Sequence, residues 1–182
     1  LLHWDRTFLK AHSFGANVKF TQDANIATQN LGKDIKNSVA RRNMGLASQF
    51  TYNYKNRYFI DYNFGYNGSE NFADGHRWGF FPAWSVAWNI GEEPFVQKKA
   101  PWINMFKLRY SRGKVGNDDM GTRFPYLYSL SDEASKDRTY SWGIANTNSY
   151  KGIYYYQVAS NRVTWEVAHK HDAGIDLVLF DN

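Results

Sequence analysis

The feature that most limits what this chain can fold into is a long, regular alternation of apolar and polar side chains. In the stretch YFIDYNFGY, residues 58–66, every second position is a tyrosine, an isoleucine or a phenylalanine. The same period of two runs through MGLASQFTYNY (residues 44–54) and RWGFFPAWSVAWNI (residues 77–90). Successive side chains of a β-strand point to opposite faces of the sheet, so each stretch predicts a strand with one apolar and one polar face.

Three further segments alternate less cleanly, at residues 14–20, 106–111 and 173–180, which makes six predicted strands. The connections between them are by turns long and short. The segment at about 23–42 is long, KNR at 55–57 has the length of a tight hairpin, and the segment at about 114–164 is very long. Long loops would therefore all emerge at one end of the sheet. The predicted fold class is all-β, with the strands in an antiparallel up-and-down meander.

The apolar faces of these strands suit either of two environments. In a soluble β-sandwich they pack on a second sheet. In a transmembrane β-barrel they meet lipid, aromatic residues gather at both interfaces, and the polar faces line the lumen. Several predicted strands reach the roughly 9–11 residues that a tilted transmembrane strand needs, whereas soluble strands average about 5–6. Aromatic residues make up 18% of the chain, which suits such girdles. The barrel is the favoured prediction, and the sandwich remains the alternative.

Several classes of function find no support in the composition. The chain has no cysteine, which excludes disulfides and thiolate metal sites. The net charge is +5, but the 22 Lys and Arg residues are scattered, so no nucleic-acid partner is predicted. Glu92 and Glu93 are expected to lie in a periplasmic turn and not to act as paired carboxylates. We predict no catalytic residue, and therefore no enzyme.

Two places in the sequence invite comparison with cation sites. His169 and His171 share a strand face, but no third ligand is apparent nearby in sequence, so no metal site is predicted there. Asp118 and Asp119 could bind calcium together with loop carbonyls, although the EF-hand pattern is absent. No cofactor is predicted, and calcium in an extracellular loop is left open.

Three motifs give the sequence a family resemblance. DGHRWGFFPAWSVAWNIGEEPF (residues 74–95) is followed after a short turn by INMFKLRYSRGKVGND (103–118), and VTWEVAHKHDAGIDLVLFDN (163–182) comes last. In this order the motifs resemble the C-terminal barrel of the SusC/RagA family of TonB-dependent outer-membrane transporters. The resemblance is strong over about residues 44–118 and 163–182. It is weak over the first forty residues and the long loop.

The resemblance implies that the predicted sheet belongs to a barrel of 22 strands. Six strands cannot close such a barrel, so residues 1–182 are expected to be a fragment of the barrel domain, with a long extracellular loop at about 114–164. The plug domain and the TonB box, which precede the barrel in this family, are absent from the sequence. The implied location is the bacterial outer membrane, in contact with the lipid bilayer.

The resemblance also implies a function and partners. Family members import nutrients, here oligosaccharides or peptides, with a SusD-like surface lipoprotein, and TonB would supply energy through the missing N-terminal region. Two alternatives of other classes stay open: a soluble glycan-binding β-sandwich, and a structural or adhesive outer-membrane barrel without transport.

Candidate site residues follow from the composition of the long loop and from the alternation of side chains between the two faces of each strand. Aromatic rings among Asn and Ser residues suit stacking on sugars or gripping peptides, with packing inside the loop or an interface girdle as the alternative. The candidate ligand contacts in the long loop are Tyr126, Tyr128, Tyr140, Trp142, Tyr154 and Tyr156. The predicted lipid-facing strand residues are Tyr58, Ile60, Tyr62, Phe64, Trp78, Phe80, Trp84, Val86, Trp88 and Ile90. Pro82 lacks a backbone donor, so a local bulge or kink is predicted there.

Overall fold

The structure is a computed structural model, and it describes residues 1–26, 39–131 and 139–180. Most of the first predicted long loop (27–38) and the last two residues of the third motif (181–182) lie outside the described residues, as do the side chains of Ser131 and Tyr156. Neither described helix is of the length and hydropathy that crossing a membrane requires.

Strands account for most of the described chain. In order along the sequence they are β1 (Leu2–Phe8), β2 (His12–Asn25), β3 (Arg41–Tyr54), β4 (Tyr58–Ser69), β5 (Trp78–Asn89), β6 (Ile103–Asn117), β7 (Ser129–Ser131), β8 (Thr139–Trp142), β9 (Asn148–Lys151), β10 (Tyr154–Gln157) and β11 (Glu166–Leu179). A 3-10 helix (Ile90–Glu92) and the α-helix α1 (Pro94–Lys99) lie between β5 and β6.

One antiparallel sheet of seven strands contains all the long strands, in the order β1-β2-β3-β4-β5-β6-β11. Strands β2 to β6 and β11 each have 12 to 15 residues. The six predicted strands and the up-and-down meander are confirmed. The additional strand β1 is a difference from the prediction: Arg6 takes the place of an apolar residue in its alternation, and the pairing of Trp4 with Ala16 of β2 holds it in the sheet.

The register of the sheet keeps all apolar stripes on one side. In β1 to β6, even-numbered residues pair with each other, as in Phe50↔Tyr62 and Tyr62↔Trp84. Between β6 and β11, even-numbered residues pair with odd-numbered ones, as in Leu108↔Ile175. We call the side formed by these positions the apolar face, and the opposite side the polar face. Because side chains alternate strictly in a strand, a single register slip would mix the two faces.

Connections alternate in length, as predicted. At one end of the sheet, which we call the short-turn end, residues 9–11 and 55–57 join neighbouring strands, together with the helical segment 90–102. Lys55 and Asn56 have φ of 49° and 56°, the left-handed backbone that tight two- and three-residue hairpins use. At the opposite end, which we call the loop end, β2, β4 and β6 end and β3, β5 and β11 begin.

The buried apolar core lies at the loop end and not between two layers. Among the described residues the buried hydrophobic side chains are Phe72, Phe81, Val96 and Phe124, and all but Val96 belong to the loop end. The described residues form only two further sheets, β7 with β10 and β8 with β9, and both are two-stranded pieces of the long loop. Nothing described here supplies the second layer that a β-sandwich needs.

The prediction of a bulge at Pro82 is wrong for its pairing with β4. Register between β4 and β5 runs without a shift through Phe64↔Pro82. Pairing between β5 and β6 instead begins at Ala83↔Gly113, directly after the proline. Because Pro82 has no N–H to donate, ending the ladder beside it costs no hydrogen bond at that residue. The sheet therefore opens between β5 and β6 toward the loop end.

Candidate functional site

The apolar face is exposed along its whole length. Ile60, Trp78 and Phe80 are each about half exposed, at 50%, 49% and 52%. Tyr58, Tyr62, Trp84, Val86 and Trp88 are exposed as well, and Phe64 is half-buried. An exposed apolar surface that runs across seven strands is far larger than the scattered hydrophobic residues of ordinary soluble surfaces, and such a surface marks contact with a membrane or a partner.

The prediction that Ile90 belongs to the strand is wrong. Strand β5 ends at Asn89, and Ile90 starts the 3-10 helix, where its carbonyl accepts a hydrogen bond from the amide of Glu93. The chain can turn here because Gly91 has no side chain: a Cβ atom at this position would lie 2.9 Å from the backbone nitrogen of Phe106.

Charged groups of the strands are concentrated on the polar face. The hydroxyl of Ser85 donates a hydrogen bond to Asp61 (3.0 Å), and the guanidinium of Arg109 lies 3.7 Å from the carboxylate of Asp176. The ammonium of Lys107 sits over the ring of Phe59, 4.3 Å from its centroid. A groove of about 260 Å³ is lined by Asp61, Ser85, Lys107 and Arg109, together with Asp172 of β11. The polar face thus carries fixed charges of both signs, which a water-filled space can solvate.

At the loop end, hydrogen bonds tie two connections to each other and to the ends of β3 and β4. The carboxylate of Asp118, just after β6, accepts from the guanidinium of Arg41 (2.8 Å) and the hydroxyl of Ser69 (2.7 Å). Asn71 donates to the carbonyl of Asp118 (2.8 Å) and accepts from the amide of Phe124 (2.8 Å). Because Ser69 and Asn71 are buried, these bonds also satisfy groups that would be costly to leave unpaired.

Aromatic side chains complete the packing of this region. We call the region the loop base, and it consists of Arg41, Ser69, Asn71, Phe72, Phe81, Gly116, Asp118, Phe124 and Trp165. The ring of Trp165 packs against Phe72 and Phe81, with centroids 5.4 Å and 5.1 Å apart, and its indole N–H donates to the carbonyl of Arg77 (3.0 Å). Gly116 lies beneath the ring of Phe81 and leaves room for it. The loop base therefore fixes both ends of the long loop to the sheet.

The protonation of Asp118 is shaped by the same contacts. Burial alone would raise the pKa of the Asp118 carboxyl, but hydrogen bonds from Ser69 and Arg41 and the charge of Arg41 together hold the pKa below its usual range. The Oδ2 atom that receives both donors is engaged within the chain. Calcium binding by Asp118 and Asp119 stays a prediction.

The aromatic residues predicted to contact a ligand differ in how exposed their side chains are. Tyr126 is half-buried, and its hydroxyl donates to the carbonyl of Glu70 (3.3 Å), so this residue holds the loop to the sheet. Tyr128 is 64% exposed and its ring contacts Tyr155, at a centroid distance of 5.6 Å. Two more, Tyr140 and Trp142, are each 66% exposed on β8; Tyr154 lies half-buried in β10, and Tyr156 belongs to the same strand.

A second polar cluster lies at the short-turn end, where the sequence predicted a turn for Glu92 and Glu93. The buried carboxylate of Glu93 accepts hydrogen bonds from the hydroxyl of Tyr58 (2.7 Å) and the indole of Trp88 (3.2 Å), and Arg57 lies 3.7 Å away. These hydrogen bonds, with a smaller effect of the Arg57 charge, hold the pKa of Glu93 below its usual range. Glu93 thus anchors two aromatic rings at the end of the apolar face.

His171 has a hydrogen-bond partner of its own. Its Nδ1 atom lies 2.8 Å from the hydroxyl of Tyr110, on the neighbouring strand. Within the described ranges, no three His, Cys, Asp or Glu side chains come together as a metal site would require.

Known proteins resemble this chain in sequence and in fold. No family model matches the chain. TonB-dependent receptor P39 of Formosa agariphila is 30% identical over 156 residues, which is 86% of this chain and 14% of that receptor. TonB-dependent receptor SusC of Bacteroides thetaiotaomicron is 30% identical over 130 residues, 70% of this chain and 12% of that protein. This chain is part of a TonB-dependent receptor of the SusC/RagA type.

Solved structures agree with the receptor assignment at the level of the fold. A structure of the RagAB peptide transporter matches 98% of this chain with a TM-score of 0.69 and 15% identity, and the match covers 21% of that chain. The RagAB peptide importer in its open-open state matches with a TM-score of 0.66. The SusC/RagA-type segment therefore spans only 12% to 21% of the length of these proteins.

The alternation along the strands predicted the two faces of the sheet, but the loop base escaped sequence analysis. Its buried polar members, Ser69 and Asn71, come from a connection that reads as ordinary turn sequence, NGSENFADGHR. The available signal was Trp165, a large aromatic residue in a polar loop next to a strand, which in a folded protein is expected to pack on something.

Proposed function

We propose that the whole protein is a nutrient importer of the bacterial outer membrane, and that this segment forms part of its barrel wall. The observation that carries the proposal is the exposed apolar face of a sheet in which six of the seven strands are 12 to 15 residues long, in a TonB-dependent receptor of the SusC/RagA type. In this arrangement the apolar face contacts lipid and the polar face lines the lumen.

The dimensions of the apolar face support this orientation. Trp88 and Trp78 lie at the two ends of the apolar stripe of β5, ten residues apart. At about 3.3 Å per residue this is about 33 Å along the strand, or about 25 Å across a bilayer for a strand tilted by about 40°. The apolar band of outer-membrane barrels is about 25 Å tall and is flanked by aromatic girdles. Tyr58 and Trp88, held by Glu93, suit the girdle at the short-turn end.

Substrate contact would fall to exposed aromatic residues of the long loop. Tyr140 and Trp142 extend from β8 with two thirds of their surface exposed, and Tyr128 stands beside Tyr155. Flat rings of this kind bind the faces of sugars and the side chains of peptides. We propose oligosaccharides or peptides as substrates, a SusD-like surface lipoprotein as partner, and TonB as the source of energy. RagAB, whose fold the segment shares, is a peptide importer.

No covalent chemistry belongs to this proposal. The relatives are receptors and transporters, and the polar groups described above pair with one another in structural roles. The loop base would give the extracellular loop a fixed attachment while its aromatic tip stays accessible.

Orientation in the membrane can be tested by cysteine labelling of the full-length protein, after any cysteine outside this segment is replaced. Ser85 and Val86 are adjacent in β5 but lie on opposite faces, so Ser85→Cys and Val86→Cys form a matched pair. In intact outer membranes we expect a small charged thiol reagent to modify Ser85→Cys, and a lipid-soluble reagent to modify Val86→Cys. Equal reaction of both with the charged reagent would refute the proposed orientation.

Transport can be tested separately by uptake of labelled oligosaccharides and peptides into cells. Uptake should require TonB, and Trp142→Ala should lower it while leaving the amount of protein in the membrane unchanged. The matched control is Ile144→Ala, an exposed apolar residue of the same loop that lacks a ring. Uptake that is independent of TonB would instead favour a barrel without energised transport.

A further inference from the structure

A cavity of about 300 Å³ lies on the polar face, at the loop end of β2, β3 and β4. The register joins Thr21, Gly45 and Asn67 in one row across these three strands. The next residue of β4, Gly68, pairs with Trp78, which ends the apolar stripe of β5 on the opposite face. The cavity is therefore level with the loop end of that stripe. We call it the amide cavity, and its lining includes Thr21, Asn43, Gly45, Asn67, Asp118 and Trp165.

Packing fixes the shape of the amide cavity. A Cβ atom at Gly45 would collide with Oδ1 of Asn67 and lie 3.3 Å from its Cγ, so the glycine lets the Asn67 amide lie across β3. On the other side, a Cβ atom at Gly79, the register partner of Asn67, would lie 3.1 Å from Cδ1 of Trp165. The loop base holds this indole ring through its packing on two phenylalanine rings. An amide and an indole therefore border the same small space.

Two amide side chains of the cavity have no structural partner. Among the described residues, none forms a hydrogen bond with the side chain of Asn43 or Asn67, and the Oδ1 atom of Asn43 is shielded from solvent. By contrast, Asn17 of the polar face donates to Gln49 (3.3 Å). Buried polar groups in folded proteins are normally paired. The donors and acceptors of these two amides are therefore available to a bound molecule, after a turn of the Asn43 amide toward the cavity.

We propose that the amide cavity binds one ring of a neutral sugar, so that the substrate of the protein is an oligosaccharide. This inference rests on the proposed importer, in which the polar face lines the lumen. An amide both donates and accepts, as the hydroxyl groups of a sugar do. The carboxylates of Asp23 and Asp118, which also line the cavity, can accept hydrogen bonds from further hydroxyl groups. The indole of Trp165 suits the apolar C–H face of a sugar ring.

Size and charge favour a neutral sugar over other occupants of the amide cavity. A volume of about 300 Å³ is at the lower end of the range for small-molecule sites, which suits a single ring and not a large side chain with its backbone. Of the described residues, no Lys or Arg lines the cavity, so a peptide carboxylate or an acidic sugar would lack a cation to pair with. A basic peptide is the competing ligand, and the test includes it.

The test uses the full-length protein in detergent micelles, with native mass spectrometry to measure bound ligand. One sample contains a pool of neutral tetrasaccharides of glucose, mannose, galactose and xylose, and another contains a pool of tetrapeptides that includes basic ones. We expect the wild type to bind a tetrasaccharide. Asn67→Ala should weaken this binding about tenfold, the loss of one or two ordinary hydrogen bonds. Gly45→Ala should weaken it as well, because the new methyl group displaces the Asn67 amide.

The matched control is Asn63→Ala, which removes an amide from the polar face of the same strand outside the cavity and should leave binding unchanged. Equal amounts of each variant in the outer membrane show that the fold is intact. Unchanged tetrasaccharide binding in Asn67→Ala or Gly45→Ala would overturn the site, as would an equal loss in Asn63→Ala. Binding of tetrapeptides alone, or of neither pool, would overturn the sugar assignment. The importer is judged separately by the dependence of uptake on TonB, so uptake that requires TonB in a protein that binds no tetrasaccharide would overturn this site alone.

Discussion

Replacing Gly116 by alanine should loosen the loop base, although alanine normally strengthens a strand. A Cβ atom at position 116 would lie 2.7 Å from Cε2 of Phe81 and still nearer to its Cζ and Cε1 atoms. The ring cannot simply move aside, because Trp165 packs against it at a centroid distance of 5.1 Å. Overpacking of this kind costs about 1–3 kcal/mol, and the lower backbone entropy of alanine returns about 0.5–1 kcal/mol.

At the midpoints of these ranges the net loss is about 1.25 kcal/mol, and it applies to local opening of the loop base. In hydrogen exchange measured by mass spectrometry on the full-length protein, peptides that span residues 112–126 should exchange about 8-fold faster in Gly116→Ala. Gly65→Ala is the matched control on the polar face of β4. Its new Cβ would meet only the amide nitrogen of Asn67, at 3.3 Å, and exchange should stay unchanged or slow slightly.

A second substitution makes the reasoning easier to refute. Phe81→Leu removes the ring edge that collides with the new methyl group, so Gly116→Ala should cost less in the Phe81→Leu background than in the wild type. Additive effects of the two substitutions would show that the contact between these residues does not limit the loop base. Unchanged exchange in Gly116→Ala alone would lead to the same conclusion.

Three further predictions concern the polar contacts. The pKa of Asp118 is lowered in the folded protein, so the stability that this residue contributes is present above about pH 4 and is lost as the pH falls through the folded pKa. Thermal unfolding followed by circular dichroism should show this loss of stability in acid for the wild type and not for Asp118→Asn. Tyr126→Phe removes the hydrogen bond to Glu70 and should weaken the loop base by about 0.5–1.5 kcal/mol, measured by the same exchange experiment, without lowering uptake at saturating substrate. Glu93→Gln should speed exchange in the helix α1, because an amide accepts the Tyr58 hydroxyl and the Trp88 indole less strongly than a carboxylate; unchanged exchange in α1 would show that Glu93 does not hold this turn.

Strand identity and the two faces of the sheet could be predicted because both depend on neighbouring residues in the sequence. The alternation at residues 58–66 assigns Tyr62 and Asn63 to opposite faces whatever the strand pairs with. Ile90 shows where the alternation of apolar and polar residues stops being informative, since this alternation continues past Asn89 while the chain turns at Gly91. Pro82 was placed correctly in its strand, but its effect depended on which neighbouring strand needed a donor.

By itself, the sequence determined the all-β class, the alternation of apolar and polar positions within each strand and the alternation of short and long connections, because a period of two and turn residues act locally. Only the tertiary structure decided that Asn71 meets Phe124, 53 residues away, and that the ring of Phe81 covers Gly116. It also decided that Arg112 and Lys114 of β6 lie opposite His171 and His169 of β11. Contacts of this kind join segments far apart in the chain, and their partners depend on strand pairing and on the path of the loops.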